Sequence, residues 1–360
     1  MPSAVPFASL SRALVIKLRH HGDVLLSAPV FSALKRAAPQ CEVDGLVYAD
    51  TAPMLAGHPD ISRLFTIDRN WKRQGLKAQA SAEWALLSRL RARRYDLIVH
   101  LTVHPRGAWL ARLLRPRWSV GPRRPDAGAF WHSSFTHLYA AQSHPDRHTV
   151  DTHLDALRAL GMEVDLAAAD VALVPGPDAE ARIDALMAQH GLMSGRFVHL
   201  HPASRWRFKC WPADRVAALC DALAPRGLPL VLTCAPDPKE RDLVAAVRAA
   251  ARVPTIDLSG ALSLKELAAL TARARLFVGV DSAPMHMACA MGTPVVAIFG
   301  PSGDREWGPW HTESRIVVSA DHAHCRPCGR DGCNGSKISE CLTTLPVAQV
   351  LAACEELLGS

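Results

Sequence analysis

The stretch LFVGVDSAPMHMACAMGTPVVAIFGPSG, residues 276–303, restricts the fold more than any other part of the chain. LFVGV is a short apolar run with β-branched residues, the pattern of a parallel strand buried on both faces. Asp281 and Ser282 are residue types that cap helix N-termini, and Pro284 suits a first helical turn. Small and sulfur-containing residues continue to Met291, and Gly292 fits the helix stop. PVVAIFG is a second buried strand, closed by Gly300–Pro301 and Gly303. A helix that starts at the carboxyl end of a parallel strand presents free N–H groups and positive dipole to an anion. Open α/β sheets bind their ligands at that edge.

The same alternation of strand and helix runs through both halves. In the first half, ALVIKL reads as a buried strand, and a helix is expected over 24–38. CEVDGLVY, RLFTID, YDLIVHL and WSVGP follow as strands, with helices near 51–56, 78–93 and 106–114. Residues 123–150 break the pattern as a basic, loop-like region with Arg123, Arg124, Arg147, His132, His137, His144 and His148. The irregular histidine spacing does not suggest a metal site. Helices at 148–160 and 178–190 flank a Pro-Gly-Pro turn at 175–177, which sets the domain boundary. The alternation then restarts with FVHLHP and leads through LPLVLT and PTIDLSG back to the opening stretch. Each half is a doubly wound parallel sheet.

Three motifs carry a resemblance. The string V-D-S-A-P-M-H-M-A-x-A-M-G-T-P-V-V-A-I-F-G-P, the motif R-x-x-G-D-V-L-x-x-x-P at 19–29, and F-K-C-W from Phe208 together resemble the lipopolysaccharide heptosyltransferases of glycosyltransferase family nine. The resemblance implies the GT-B fold, two Rossmann-like domains facing a central cleft. An acceptor domain would span 1–176, a nucleotide-sugar domain 177–345, and a final helix at 346–360 would pack back on the first domain. It also implies inverting transfer of L-glycero-D-manno-heptose from ADP-heptose to a heptose of the phosphorylated lipopolysaccharide inner core. The F-K-C-W string and the cysteine tail look most like the third heptosyltransferase subgroup, which adds a side-branch heptose.

Length and charge agree with this and exclude other classes. At 360 residues the chain exceeds one ordinary core, so two domains are expected. A formal charge of +7 favours an anionic partner: nucleic acid, acidic lipid or sugar nucleotide. Zinc-finger spacing, RNP-type aromatic strings and basic heptads are absent from the sequence, so nucleic acid is not expected. No apolar run reaches membrane-spanning length, and MPSAVPFASLSR lacks the pattern of a secretory signal. The expectation is a cytoplasmic protein, with transient contact at the cytoplasmic face of the inner membrane.

The candidate residues follow from chemistry first and from the resemblance second. Glycosyl transfer to a hydroxyl needs an acceptor for its proton, and Asp23, at the end of the first strand, is either that base or a helix N-cap. The resemblance assigns it the base. Arg205, Arg207 and Lys209 lie ahead of a helix near Pro212, where cations suit a departing diphosphate. The resemblance gives Lys209 the donor phosphate, and it puts Ser282, Ala283 and His286 near the pyrophosphate. Asp281 is read as capping the helix and meeting sugar hydroxyls, and Arg123 and Arg124 as contacts to acceptor phosphate. Cations and a helix start can neutralise the leaving group, and no Asp-x-Asp clamp is found, so no metal cofactor is expected.

Ten cysteines in a cytosolic chain do not suggest a disulfide framework. Cys325, Cys328, Cys333 and Cys341 begin with metal-ligand spacing, and a structural zinc, reduced thiols or an occasional disulfide all fit. Two other functions share these features. A sugar-nucleotide epimerase of the same build would consume donor without an acceptor. A nucleotide-sugar-binding scaffold at the membrane face would bind donor and release no ADP.

Overall fold

Parallel pairing organises both halves of the chain. The computed structural model describes residues 5–140 and 146–359 and divides into two units, Met1–Ala172 and Leu173–Ser360. The division falls a few residues ahead of the Pro-Gly-Pro turn. Among the described residues each unit holds one six-stranded sheet.

In the first unit the strands are β1 (Arg12–Ile16), β2 (Glu42–Tyr48), β3 (Arg63–Ile67), β4 (Leu97–His100), β5 (Trp118–Pro122) and β6 (His137–Tyr139). Their order is β3-β2-β1-β4-β5-β6, every pair parallel. The helices are α1 (His21–Leu25), α2 (Ala28–Ala37), α3 (Leu76–Arg93), α4 (Pro105–Leu114), α5 (Ala129–His132) and α6 (Thr149–Arg158). Apolar side chains from β1, β2, β3 and β4 build a core with Leu86 and Leu90 of α3 and Leu110 of α4.

The second unit repeats the plan. Its strands are β7 (Val198–His201), β8 (Leu230–Leu232), β9 (Ile256–Asp257), β10 (Leu276–Val280), β11 (Val295–Ile298) and β12 (Ser314–Val317). The order β12-β11-β10-β7-β8-β9 is that of the first sheet when each unit is counted from its own first strand. The helices are α7 (Pro177–His190), α8 (Ala213–Leu223), α9 (Pro238–Ala250), α10 (Leu264–Ala272), α11 (Ala283–Ala290), α12 (Glu340–Thr343) and α13 (Val347–Gly359). In this order the chain reverses direction across the sheet between β1 and β4, and again between β7 and β10. Such switch points leave a crevice at the strands' carboxyl ends.

Three expectations change. The helix expected over 24–38 is two helices, because Pro29 has no N–H to donate to residue 25 and its ring crowds that carbonyl. At the break the Ser27 hydroxyl donates back to Val24 O, a carbonyl of α1, and makes no capping bond to α2. The loop-like region 123–150 contains α5 and a sixth strand, β6, whose three residues His137–Tyr139 give too short an apolar run to read. His144 lies outside the described residues. β12 likewise escaped sequence reading, since most of its side chains are not buried. The closing helix α13 buries Val350, Ala353, Cys354 and Leu357 in the core of its own unit, against α8 and β10–β12.

Candidate active site

At the first switch point, the one charged residue of the run ALVIKL lies just past the end of a strand. Lys17 follows β1 and is almost wholly buried. Its ammonium donates to Leu101 O at 3.2 Å, approaches His153 Nε2 at 2.6 Å, and pairs with Asp23 Oδ1 at 3.8 Å. His153 Nδ1 lies 3.0 Å from Leu26 O. A carbonyl only accepts, so Nδ1 carries the ring proton and Nε2 offers its lone pair to Lys17. Leu26 is the C-cap of α1, at the break before α2: its N–H still donates to Gly22 O, while its carbonyl faces the histidine. The Pro29 break therefore helps orient the histidine that holds Lys17.

Burial pulls the Lys17 pKa down to about 8; the Asp23 carboxylate opposes this and Arg19 adds to it. Burial, with Lys17 beside it, holds the His153 ring neutral, well below the usual histidine range. Asp23 is the third residue of α1 and not its N-cap, which is His20. Its carboxylate, with 14% of the side chain exposed, sits between the buried Lys17 and the half-exposed Arg19, whose Nε is 3.6 Å away. The Leu18 N–H donates to Thr102 Oγ1, tying the ends of β1 and β4 together. The result is an accessible carboxylate on a fixed cationic floor.

The second switch point brings Lys209 to Asp281. Lys209 ends a short 3-10 turn after β7, and Asp281 follows β10. Their Nζ and Oδ2 are 2.5 Å apart, with Asp281 nearly buried and 23% of the Lys209 side chain exposed. Asp281 is thus a partner of the lysine and does not cap α11. Ser282 occupies the N-cap, but its hydroxyl donates to Val280 O and makes no capping bond. The first turn of α11, from Ala283, therefore keeps N–H groups free of a side-chain cap. His286 lies on this helix and is buried. Arg205 is exposed, with its guanidinium 5.4 Å from the Trp206 ring, and makes no ion pair with Asp281.

The lysine loop is clamped from behind. Trp211 is buried in the unit's core and its Nε1 donates to Leu345 O. Ser339 Oγ donates to Phe208 O at 2.7 Å. The Arg326 guanidinium donates to Gly300 O at 2.6 Å, and Gly329 N donates to Pro301 O, so the cysteine-bearing tail also ties down the Gly-rich loop after β11. Among the described residues no group of three or more His, Cys, Asp or Glu is arranged to hold a metal ion. Cys325, Cys328 and Cys333 all lie near enough to Cys341 to act on its thiol. All four are free thiols: Cys325 and Cys328 are exposed, while Cys341 is buried and its thiol pushed up to about 11.

Beneath β7 lies a buried network that the sequence did not reveal. Thr271 donates its hydroxyl to Leu267 O and so accepts from His199 Nδ1. His199 Nε2 then accepts from Thr233, whose oxygen accepts from His201 Nδ1. Burial lowers the two histidines to about 3 and about 4, and both are neutral.

Of the two arginines read as acceptor-phosphate contacts, one is paired and one is exposed. Arg124 pairs with Asp126 at 2.9 Å and lies over the Trp131 ring, whereas Arg123 is exposed after β5. Arg147 is bound to Asp151 and Asp155. Lys17 and His153 were missed altogether; the available signal was a lysine inside an apolar strand.

Comparison with known proteins fits this geometry. The sequence profile of Glycosyltransferase family 9 (heptosyltransferase) matches residues 83–338. A lipopolysaccharide heptosyltransferase 3 of Escherichia coli is 34% identical over 95% of this chain and 98% of its own. The glycosyl transferase family 9 protein of Veillonella parvula superposes with a TM-score of 0.84 at 22% identity, over 99% of both chains. The E. coli heptosyltransferase WaaC, solved with ADP-2-deoxy-2-fluoro heptose, superposes with a TM-score of 0.70 at 19% identity, over 96% of this chain and 99% of its own. The two repeated sheets are those of the GT-B fold, and the chain belongs to glycosyltransferase family 9, the heptosyltransferases.

Proposed function

We propose that this glycosyltransferase moves heptose from ADP-heptose to a heptose of the phosphorylated lipopolysaccharide inner core, with inversion, in the manner of the third heptosyltransferase subgroup. The acceptor hydroxyl attacks the anomeric carbon while Asp23 takes its proton. The bond from that carbon to the diphosphate oxygen breaks, and ADP leaves with the electron pair. Lys209 and the first turn of α11, with Ser282 and Ala283, meet the charge that develops on the leaving oxygen. Asp281 holds the Lys209 ammonium in place before donor arrives, so little side-chain freedom is lost on binding. His286 and Arg205 line the same donor end, and Arg123 and Arg124 serve acceptor phosphate. Because fixed cations neutralise the leaving group, no metal cofactor is needed. The lipid-anchored acceptor brings the enzyme to the cytoplasmic face of the inner membrane.

The observation that carries this reading is the Lys209–Asp281 pair beside the uncapped start of α11, at the carboxyl end of β10. Similarity to a lipopolysaccharide heptosyltransferase 3 over nearly the whole chain supports the acceptor class. The donor analogue in the WaaC structure supports ADP-heptose. The test is ADP release from ADP-heptose against a panel of truncated core acceptors. Release that requires a heptose-bearing acceptor is expected. Donor consumption without acceptor favours an epimerase, and tight binding with no ADP release favours a scaffold.

A further inference from the structure

We propose that the α3–α4 face of the first unit docks on the surface of an anionic lipid bilayer. Between the two helices opens a groove of about 540 Å³ with a floor that includes Leu86, Leu87 and Leu110. At its mouth stand Trp84 and Trp109, 67% and 55% exposed. Phe130 packs on Trp109 with ring centroids 4.7 Å apart and is itself 41% exposed, so the apolar surface continues beyond the groove. α3 buries only Leu86, Leu90 and Arg93 along eighteen residues. Exposed aromatic groups concentrated in this way mark a surface that meets a partner.

Charge says which partner. Residues 70–125 carry thirteen Lys and Arg against two acidic residues, a surplus larger than the +7 of the whole chain. Both acids are already occupied: Glu83 is held by the Arg106 guanidinium, and Asp96 accepts from the Ser11 and Arg12 backbone N–H groups. Lys77, Arg89, Arg91, Arg112 and Arg115 are exposed around the aromatic mouth or at the helix ends. The complementary occupant must offer anions in one layer and apolar groups directly beneath. A bilayer of anionic lipid does both: tryptophan rings settle at headgroup depth while Arg and Lys reach the phosphates. Nucleic acid offers the anions and bases to stack on, but no continuous apolar layer for the leucine floor.

The lipid-anchored acceptor of the functional reading gives this face its purpose, but the docking claim is tested apart from it. Full-length protein is sedimented with vesicles of phosphatidylglycerol and phosphatidylethanolamine, and with phosphatidylcholine alone, at low and high salt. Binding to the anionic vesicles, weakened by salt, is expected. Trp84→Ala/Trp109→Ala and, separately, Arg91→Glu/Arg115→Glu should each weaken it about tenfold or more, with melting temperature and activity on a soluble, deacylated acceptor unchanged. If the tryptophan variant fails to fold, the arginine variant carries the test. Equal binding to neutral and anionic vesicles, unaffected variants, or a preference for single-stranded RNA over vesicles overturns the proposal. Vesicle binding without heptosyl transfer defeats the functional reading alone; transfer without vesicle binding defeats the docking face alone.

Discussion

His153 Nε2 stands 2.6 Å from Lys17 Nζ, and the histidine is oriented by the carbonyl of Leu26 at the break between two helices. A buried neutral ring thus holds a buried ammonium, and that ammonium faces the Asp23 carboxylate. Arg19 approaches the same carboxylate from the solvent side. The base of the proposed reaction depends on Lys17 for its position.

Lys17→Met should lower kcat about 10- to 100-fold through misplacement of the carboxylate, with little change in donor KM. Because burial lowers the Lys17 pKa to about 8, the ammonium is present below that pH and lost above it. Wild-type kcat should fall above about pH 8, and the variant should lack that limb. A wild-type rate that stays flat through pH 9 and is matched by the variant contradicts the positioning role.

Lys209→Ala removes one charge-assisted contact to the donor, worth about 1.5–3 kcal/mol or roughly 10- to 100-fold. Donor KM should rise by that order. Asp281→Asn leaves the lysine unanchored and should raise donor KM by less. Unchanged donor KM in both variants, measured by steady-state ADP release, removes the pair from the donor site.

If fixed cations neutralise the leaving diphosphate, turnover should be complete in excess chelator. Activity lost to chelator and restored specifically by Mg²⁺ or Mn²⁺ defeats that part of the mechanism.

Acid should unfold the protein by way of its buried histidines. Burial lowers His100 and His199 to about 3 and His201 to about 4, and it lowers His153 well below its usual range. Each takes a proton near pH 6.5 when unfolded but resists it when folded, so stability is intact above about 6.5 and lost as pH falls toward 4. The melting temperature should drop steadily between pH 6.5 and 4.5, and His201→Asn should make the slope shallower. A flat profile over that range contradicts neutral burial.

The long apolar strands and well-spaced helices were legible because period and length speak locally. β6 was not, because three residues with a histidine among them carry no periodic signal. The helix break at Ser27 was foreshadowed by Pro29 alone, and its consequence, the oriented His153, depends on a contact 127 residues away in sequence. Asp23, Lys209 and Asp281 were legible as charged residues at strand ends. Their partners were not, since which cation meets which carboxylate is set by the order of strands in the sheet. The role of the tail was hidden for a related reason: CxxC spacing is local, whereas its bracing of the Lys209 loop through Ser339 and Leu345 is set by the fold.

The most direct measurement is the single-turnover rate of heptose transfer from ADP-heptose to a heptose-bearing core acceptor by wild type and Asp23→Asn, with donor affinity and melting temperature measured in parallel. The account predicts a fall of about 10²- to 10⁴-fold in rate with donor affinity and stability preserved. A variant that transfers heptose at near wild-type rate contradicts it.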